Sequence, residues 1–367
     1  MSGVPESGTS STRLVEAHVE AIRFYRGELL MRPGQWATAH LQVRGLGQVL
    51  EPGSRWRVGY APAGWSHLVE HLRGRGFHDA ELIDAGLALT TGSGYLIDRF
   101  RDRIMFPVHD HGLDPVGFIG RGRGRSPKYL NTATTTMYRK REVLVGVAEQ
   151  EPLLARGTVP VLVEGPPDSI AVSLSDRGQG RWAGVALCGT NISSLQAEIL
   201  RAYTQSDTVV VVLDGDVPGR TAAARCLEPL SRQFSRVLVA DLPDGEDPAS
   251  LFRSPEGRGR LRAELEATRP LVSLVIELEL GRWSRVLDHV NGRIGALRSV
   301  AALVRQLPSA LVADEIARLS RILNLDTSTV TREVLDANAV RIPRERAVRT
   351  GSQLAMGADP PVPGLSW

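Results

Sequence analysis

Between Val159 and Asp247, short apolar runs alternate with stretches of helical periodicity. The runs at 159–163, 184–188, 209–213 and 236–240 are mostly Val, Leu and Ala. Runs of this length without polar alternation predict strands buried on both faces of a parallel sheet. The intervening segments, at about 168–176, 193–204 and 218–233, predict helices. Such a βα repeat gives a mainly parallel sheet covered by helices.

Upstream, Val15, Val19, Ile22 and Leu29 recur at helical spacing and predict a first helix capped by Ser11 or Thr12. Residues 33–60 mix Gly and Pro with short apolar runs, and the alternation of Trp56, Val58 and Tyr60 predicts a strand there. Helices are expected near 66–75 and 79–86, the second stopped by Gly86. Ile104–Val108 and Val116–Ile119 predict a hairpin turning over 109–114, and Glu142–Leu154 a helix ended by Arg156-Gly157. Beyond Asp247 the pattern is purely helical. Leu297, Val300, Ala301, Val304 and Leu307 share one face, Pro308 breaks it, and Ile316, Leu319 and Leu323 form another stripe. Asp326 or Thr327 then caps a helix carrying Val330 and Val334. The expected organisation is a disordered leader (1–11), a basic subdomain (12–155), an α/β subdomain (156–267), a helical module (268–336) and a flexible basic tail (337–367) containing Arg341, Arg344, Arg346 and Arg349. The chain shows no internal repeat of roughly 20–50 residues.

The 367 residues, 42% hydrophobic and 23% charged, fit an ordinary multidomain protein. A net charge of +3 does not by itself announce a nucleic-acid partner, so the distribution of charge carries the information. Cys188 and Cys226 are isolated, which argues against a zinc module or disulfide framework and fits a reducing cytoplasm. No apolar run of about 18 residues occurs, so neither a membrane span nor secretion is expected.

Candidate chemistry sits where the apolar runs end. Glu164 follows the first run, Asp214-Gly-Asp216 follows Val209–Leu213, and Asp247 closes Leu242-Pro-Asp-Gly-Glu-Asp-Pro248. Ligands collect beyond the carboxyl ends of parallel strands, so Glu164, Asp168, Asp214, Asp216 and Asp247 should share one rim. All-oxygen donors favour Mg2+ or Mn2+ over zinc. Glu164 could ligate metal or act as a general acid or base; sequence leaves both roles open. Gly165, Gly215 and Gly219 would keep bulk away, Gly189-Thr190 could line the same rim, and Arg220 could meet phosphate or simply face water.

A second signal is basic. Arg121, Arg123, Arg125 and Lys128 are spaced by Gly and Pro, and are followed by Tyr129, Asn131, Tyr138 and Lys140. Such a charge run is usually a solvated face, yet cations for phosphates, tyrosines for stacking and glycines for close approach suit single-stranded nucleic acid. His109 and His111 read as exposed turn histidines; Trp56, Trp65 and Trp182 read as packing residues, and Cys188 as a buried small hydrophobe.

Taken together, these blocks resemble the bacterial replicative primases of the DnaG type over about residues 12–336. In the upstream half the similar blocks are Arg44-Gly-Leu, Val58-Gly-Tyr-Ala-Pro-Ala-Gly-Trp65, Leu82-Ile-Asp-Ala-Gly86, Asp98-Arg-Phe-Arg-Asp-Arg-Ile-Met-Phe-Pro-Val108, Gly120-Arg121 and Pro127-Lys-Tyr-Leu-Asn131. Downstream, Glu164-Gly, Gly189-Thr190, Asp214-Gly-Asp216 and the 242–248 block resemble the Toprim half of that family. The resemblance implies an α/β fold: a basic α+β subdomain joined to a Toprim sheet flanked by helices, then a small helical module. It implies a DNA-directed RNA polymerase of the primase type, a nucleotidyltransferase making RNA primers on a single-stranded DNA template from ribonucleoside triphosphates, through an RNA–DNA hybrid. Carried over by position, Glu164, Asp168, Asp214, Asp216 and Asp247 would form the acidic set. Arg44, Arg121, Lys128, Tyr129, Asn131 and Lys140 would contact template, primer or nucleotide.

Three departures qualify the expectation. The chain starts at the polymerase core without the usual zinc ribbon, so no zinc is expected; a separate zinc-binding protein would act in trans, or initiation is altered. Pro166-Pro167 stands where aromatic and apolar residues are usual and could shift where Asp168 points. Ala249 stands where a second Asp is common. No full helicase-docking domain is recognisable, although a replicative helicase remains a possible partner. A trimmed primase of this kind suits a plasmid, phage or integrated element. Two rival readings share the same residues: a Toprim nuclease, and a catalytically weak single-strand binder of a replication complex.

Overall fold

The computed structural model describes residues 10–31, 35–124, 127–189 and 191–337. The expected leader and basic tail, Arg125 and Thr190 fall outside the described residues, apart from the stubs 10–11 and 337.

The first helix, α1 (Ser11–Met31), begins one residue earlier than its expected cap: the Ser10 carbonyl already accepts from the Arg13 and Leu14 amides. Its buried face is Leu14, Ala17, Ala21, Tyr25 and Leu29, with Val15 and Val19 only half-buried. Strand β1 (Gly59–Ala61) lies directly on this face. A Cβ on Gly59 would come within 2.6 Å of Tyr25. The strand expected around Trp56–Tyr60 therefore shrinks to this short piece. Arg57, with φ of 47°, turns the chain just before it. The segment before it forms α2 (Trp36–Val43) and a 3₁₀ turn at Gly47–Leu50. Helices α3 (His67–Gly74) and α4 (Asp79–Asp84) follow, then the small ribbon β2 (Ala88–Thr90) and β3 (Leu96–Asp98).

The expected hairpin is β4 (Arg103–His109) with β5 (Pro115–Gly122). Strand β6 (Tyr129–Asn131) adds to its far edge and β1 to its near edge, so the antiparallel order is β1-β4-β5-β6. The register places Arg121 opposite Tyr129 across β5 and β6, on one face of the sheet. Residues 143–145 are extended rather than helical, and α5 (Val147–Leu154) starts only at Gly146, which adopts φ of 105°.

The second sheet follows the βα pattern. Strands β7 (Val159–Val163), β8 (Trp182–Ala186), β9 (Thr208–Val211) and β10 (Arg236–Val239) are mutually parallel in the order β8-β7-β9-β10. Helices α6 (Pro166–Ser175), α7 (Ser194–Tyr203), α8 (Val217–Arg225) and α9 (Leu227–Ser231) make the connections. The order reverses between β7 and β9, and a crevice forms at that switch point. Val161, Leu162, Val163, Val209 and Val211 are fully buried, each contributing about 1.5–3 kcal/mol. Helices α10 (Pro248–Leu251) and α11 (Pro255–Glu266) then lead to β11 (Arg269–Pro270), which pairs antiparallel with β10.

The last part is helical: α12 (Leu271–Arg282), α13 (Val290–Val304), α14 (Ser309–Leu323) and α15 (Thr327–Asp336). The expected stripe of Leu297, Val300, Ala301, Val304 and Leu307 is buried, as are Leu319, Leu323, Val330 and Val334; Ile316 is half-buried. These residues share one core with the outer face of the parallel sheet. Asp326 caps α15 by accepting from the Ser328 amide at 3.0 Å. Among the described residues, no helix is long and apolar enough to cross a membrane.

Candidate active site

Three loops leave the carboxyl ends of β7, β9 and β10, and each begins a helix. Two of the carboxylates serve as caps: Asp216 accepts from the Gly219 amide at 2.7 Å and Asp247 from the Ser250 amide at 2.5 Å. A capping carboxylate keeps its other oxygen free and suits the positive end of a helix. The 214–216 and 243–247 loops are tied together, because the Gly215 amide donates to the Glu246 carbonyl at 3.1 Å. A Cβ on Gly215 would lie 2.1 Å from the Pro243 carbonyl oxygen, so only glycine fits there.

Glu164 and Asp214 are half-buried, and Asp216 is exposed. Burial, then the charges of Asp214, Asp216 and Asp247, push the Glu164 carboxyl up to about 7. The Asp214 carboxyl is raised by burial and by Asp247 and Asp216, with Lys128 opposing. Four of the five predicted carboxylates therefore face one another across the crevice. Asp168 differs. Its side chain is buried beneath the rim, its carboxyl raised first by burial and next by Asp247. Both of its oxygens accept backbone N–H groups, from Ala249 at 3.1 Å and from Gly165 at 3.2 Å.

The donor set fits a hard divalent cation: all ligands are carboxylate oxygens, and their mutual repulsion asks for positive charge. Among the described residues no three His, Cys, Asp or Glu side chains converge tightly enough to hold an ion by themselves.

Facing this rim is the predicted basic set. The hydroxyl of Tyr129 is pushed up to about 12 by burial and by Asp168, with Arg121 and Arg44 nearby opposing the shift. Arg44 feels Arg253, Arg121 and Asp247, so it stands at the junction of the two halves. Gly45, at φ of 74°, seats this loop against α10; a Cβ there would lie 2.7 Å from the Phe252 carbonyl oxygen. Lys128 is exposed over the Tyr129 ring at 5.8 Å, and Lys140 is exposed along Gly189, past the end of β8. Asn131 is engaged internally: its carbonyl accepts from Arg99 at 2.7 Å and its side chain from the Tyr138 hydroxyl at 3.4 Å. Arg220 makes an ion pair with Glu277 at 3.5 Å.

Several residues escaped the sequence reading. His40, four residues before the predicted Arg44 on α2, lines a narrow recess with Arg44, Arg121 and Pro167. The i, i+4 spacing was the available signal. Burial and then Arg121, Arg44, Arg253 and Lys128 hold the His40 imidazole down at about 4, so it is neutral at physiological pH. Arg253 lies one residue past the C-cap of α10, and its charge reaches His40 and Arg44. Trp65, expected in the core, is 65% exposed with the Arg101 guanidinium 4.5 Å from its ring centroid. By contrast Trp56 and Trp182 are buried as expected. His109 is not an exposed turn residue: it ends β4 beside the buried Glu149, 3.5 Å from its carboxylate. Cys188 is only half-buried, at φ of 56°, although it packs against the core.

An α/β crevice with strand-end carboxylates at a topological switch point, opposed by a cationic antiparallel sheet, defines the Toprim-bearing primase class. The profile of the family described as "DNA primase catalytic core, N-terminal domain" matches residues 24–151, and a Toprim-like profile matches residues 161–252. The DNA primase of Streptomyces coelicolor is 35% identical over 343 residues, covering 91% of this chain and 52% of that protein. The RNA polymerase domain of Mycobacterium tuberculosis primase DnaG is 30% identical with a TM-score of 0.68, covering 84% of this chain and 98% of that domain. A DnaG primase catalytic domain bound to single-stranded DNA is 28% identical with a TM-score of 0.67, covering 87% of this chain and 98% of that one. The chain belongs to the DnaG primase catalytic-core family. It spans about half the length of the curated relatives it matches.

Proposed function

We propose that this chain polymerises ribonucleotides on single-stranded DNA, as the primer-synthesising core of a primase. The supporting observation is the opposition of Arg44, Arg121 and Lys128 to Glu164, Asp214 and Asp247 across one crevice. Two unit charges of like sign at 4 Å repel by roughly 4 kcal/mol at an effective dielectric of 20. Several carboxylates beside a triphosphate exceed what the arginines alone offset. Mg2+ or Mn2+ bound by substrate phosphates together with one or two of Glu164, Asp214, Asp216 and Asp247 would neutralise the triphosphate and make the primer hydroxyl a better nucleophile. Arg44, Arg121 and Lys128 would bind the phosphates and orient them toward the rim. Tyr129, half-buried and opposite Arg121 across β5 and β6, would hold that guanidinium in place. Lys140 beside Gly189 would follow the nascent RNA–DNA hybrid, and Trp65 with Arg101 would stack on template bases. The bound single-stranded DNA of the 28%-identical DnaG domain favours that template role. Cytoplasmic replication, with a helicase or a separate zinc-binding protein assisting initiation, belongs to the same reading.

The test supplies an RNA primer annealed to a DNA template, with four ribonucleotides and Mg2+ or Mn2+. Stepwise primer extension is expected. Lys128→Ala should raise the nucleotide KM about tenfold while leaving Tm unchanged, since Lys128 is exposed. Template fragments in place of extension would indicate a nuclease. DNA retention without either product would indicate a binder.

A further inference from the structure

We propose that Asp168 is a positioning residue that clamps together the loops bearing Glu164 and Asp247, and is not itself a metal ligand. Its Oδ2 accepts from the Gly165 amide at 3.2 Å, inside its own loop. Its Oδ1 accepts from the Ala249 amide at 3.1 Å, across 81 residues of sequence. The residue as a whole is 9% exposed, against half-buried Glu164 and Asp214 and exposed Asp216, so it lies below the rim they form. Hydrogen bonds to backbone N–H groups are short-range and directional, and these two fix loop against loop.

Two peculiarities of this chain support the clamp. Pro166 and Pro167 occupy the first turn of α6, where their fixed φ presets the helix and carries Asp168 to the third helical position. Ala249 is 1% exposed, so its side chain is packed inside and only its backbone N–H serves the site. The small residue admits no second carboxylate beside Asp168. The loop hub at 243–249 thus receives Asp168 from one side and the Gly215 amide from the other.

The inference rests on the proposed function for its effect on rate, but its test does not. Mn2+ alone is titrated into the full chain, and backbone amide exchange is followed for wild type, Asp168→Asn, Asp168→Ala and Asp214→Ala. Both Asp168 variants should bind the wild-type number of Mn2+ ions. The Ala249 amide should exchange at least about tenfold faster in Asp168→Ala, with Asp168→Asn intermediate because it keeps one acceptor. Primer-extension kcat should fall in the same order, with the nucleotide KM changed less than about threefold. Loss of a Mn2+ ion in Asp168→Asn, or unchanged Ala249 exchange in both variants, would overturn the clamp. If Asp168→Ala fails to fold, Asp168→Asn gives the same two readouts. Unchanged Mn2+ binding and extension in Asp214→Ala would instead sink the proposed function, leaving amide exchange to judge the clamp.

Discussion

Charge at single residues sets the working conditions of the crevice. His40 sits among Arg44, Arg121, Arg253 and Lys128, and its imidazole is held at about 4 against an ordinary 6.5. His18, fully buried on α1 with its Nδ1 on the Leu14 carbonyl oxygen, is likewise held at about 4, chiefly by burial. Between those values the unfolded chain binds more protons than the folded one, so stability is lost as pH falls from about 6.5 to 4. We expect His40→Gln to lessen the drop in Tm between pH 7 and pH 5 relative to wild type. An undiminished drop would show that His40 titrates normally. Trp65→Ala should weaken single-stranded DNA binding by about 1–3 kcal/mol, read by fluorescence anisotropy, with little change in Tm. The carboxylates were legible because each ends an apolar run. Trp65 was not, since aromatic composition does not say whether a ring faces core or solvent; only the partner, Arg101, thirty-six residues on, reveals it.

At the scale of elements, strands and loops of the α/β unit followed the sequence closely, because parallel strands buried on both faces leave a continuous apolar signature. Elements β7 to β10 lie within about two residues of expectation. The basic half was harder. Helix α2 carries only three buried residues, Ala37, Thr38 and Leu41, too few for a visible stripe. Strand β1 is short because its neighbours, rather than its own alternation, decide its length. Asp168 was legible as a strand-end acid but its inward turn was not, since that depends on an amide in a distant loop. The 214–216 turn packs closely on the 243–247 loop. Gly215→Ala forces a Cβ to 2.1 Å from the Pro243 carbonyl oxygen. It should cost about 2–3 kcal/mol, visible as a Tm lowered by several degrees, and reduce extension more than tenfold. A Tm within one degree of wild type would show that the loop yields.

Over the whole molecule, one sheet presents cations and the other carboxylates, and β6 with the 44–45 loop brings them face to face. Net charge of +3 conceals this separation, which is why composition alone says so little about the partner. If the basic face tracks single-stranded DNA, log Kd should vary linearly with log salt, and removing one contact such as Lys140 should lower the slope by about 0.7. The central claim is that the opposed faces perform template-directed RNA synthesis. Its most direct measurement is primer synthesis on mixed-sequence single-stranded DNA with four ribonucleotides and Mg2+ or Mn2+, comparing wild type with the Asp214→Ala, Asp216→Ala double variant. The account predicts short RNA products, or extension of a supplied primer where a partner must start the strand, abolished in the double variant. Products that persist in the double variant, or a folded wild-type chain that binds DNA yet neither starts nor extends RNA, would contradict it.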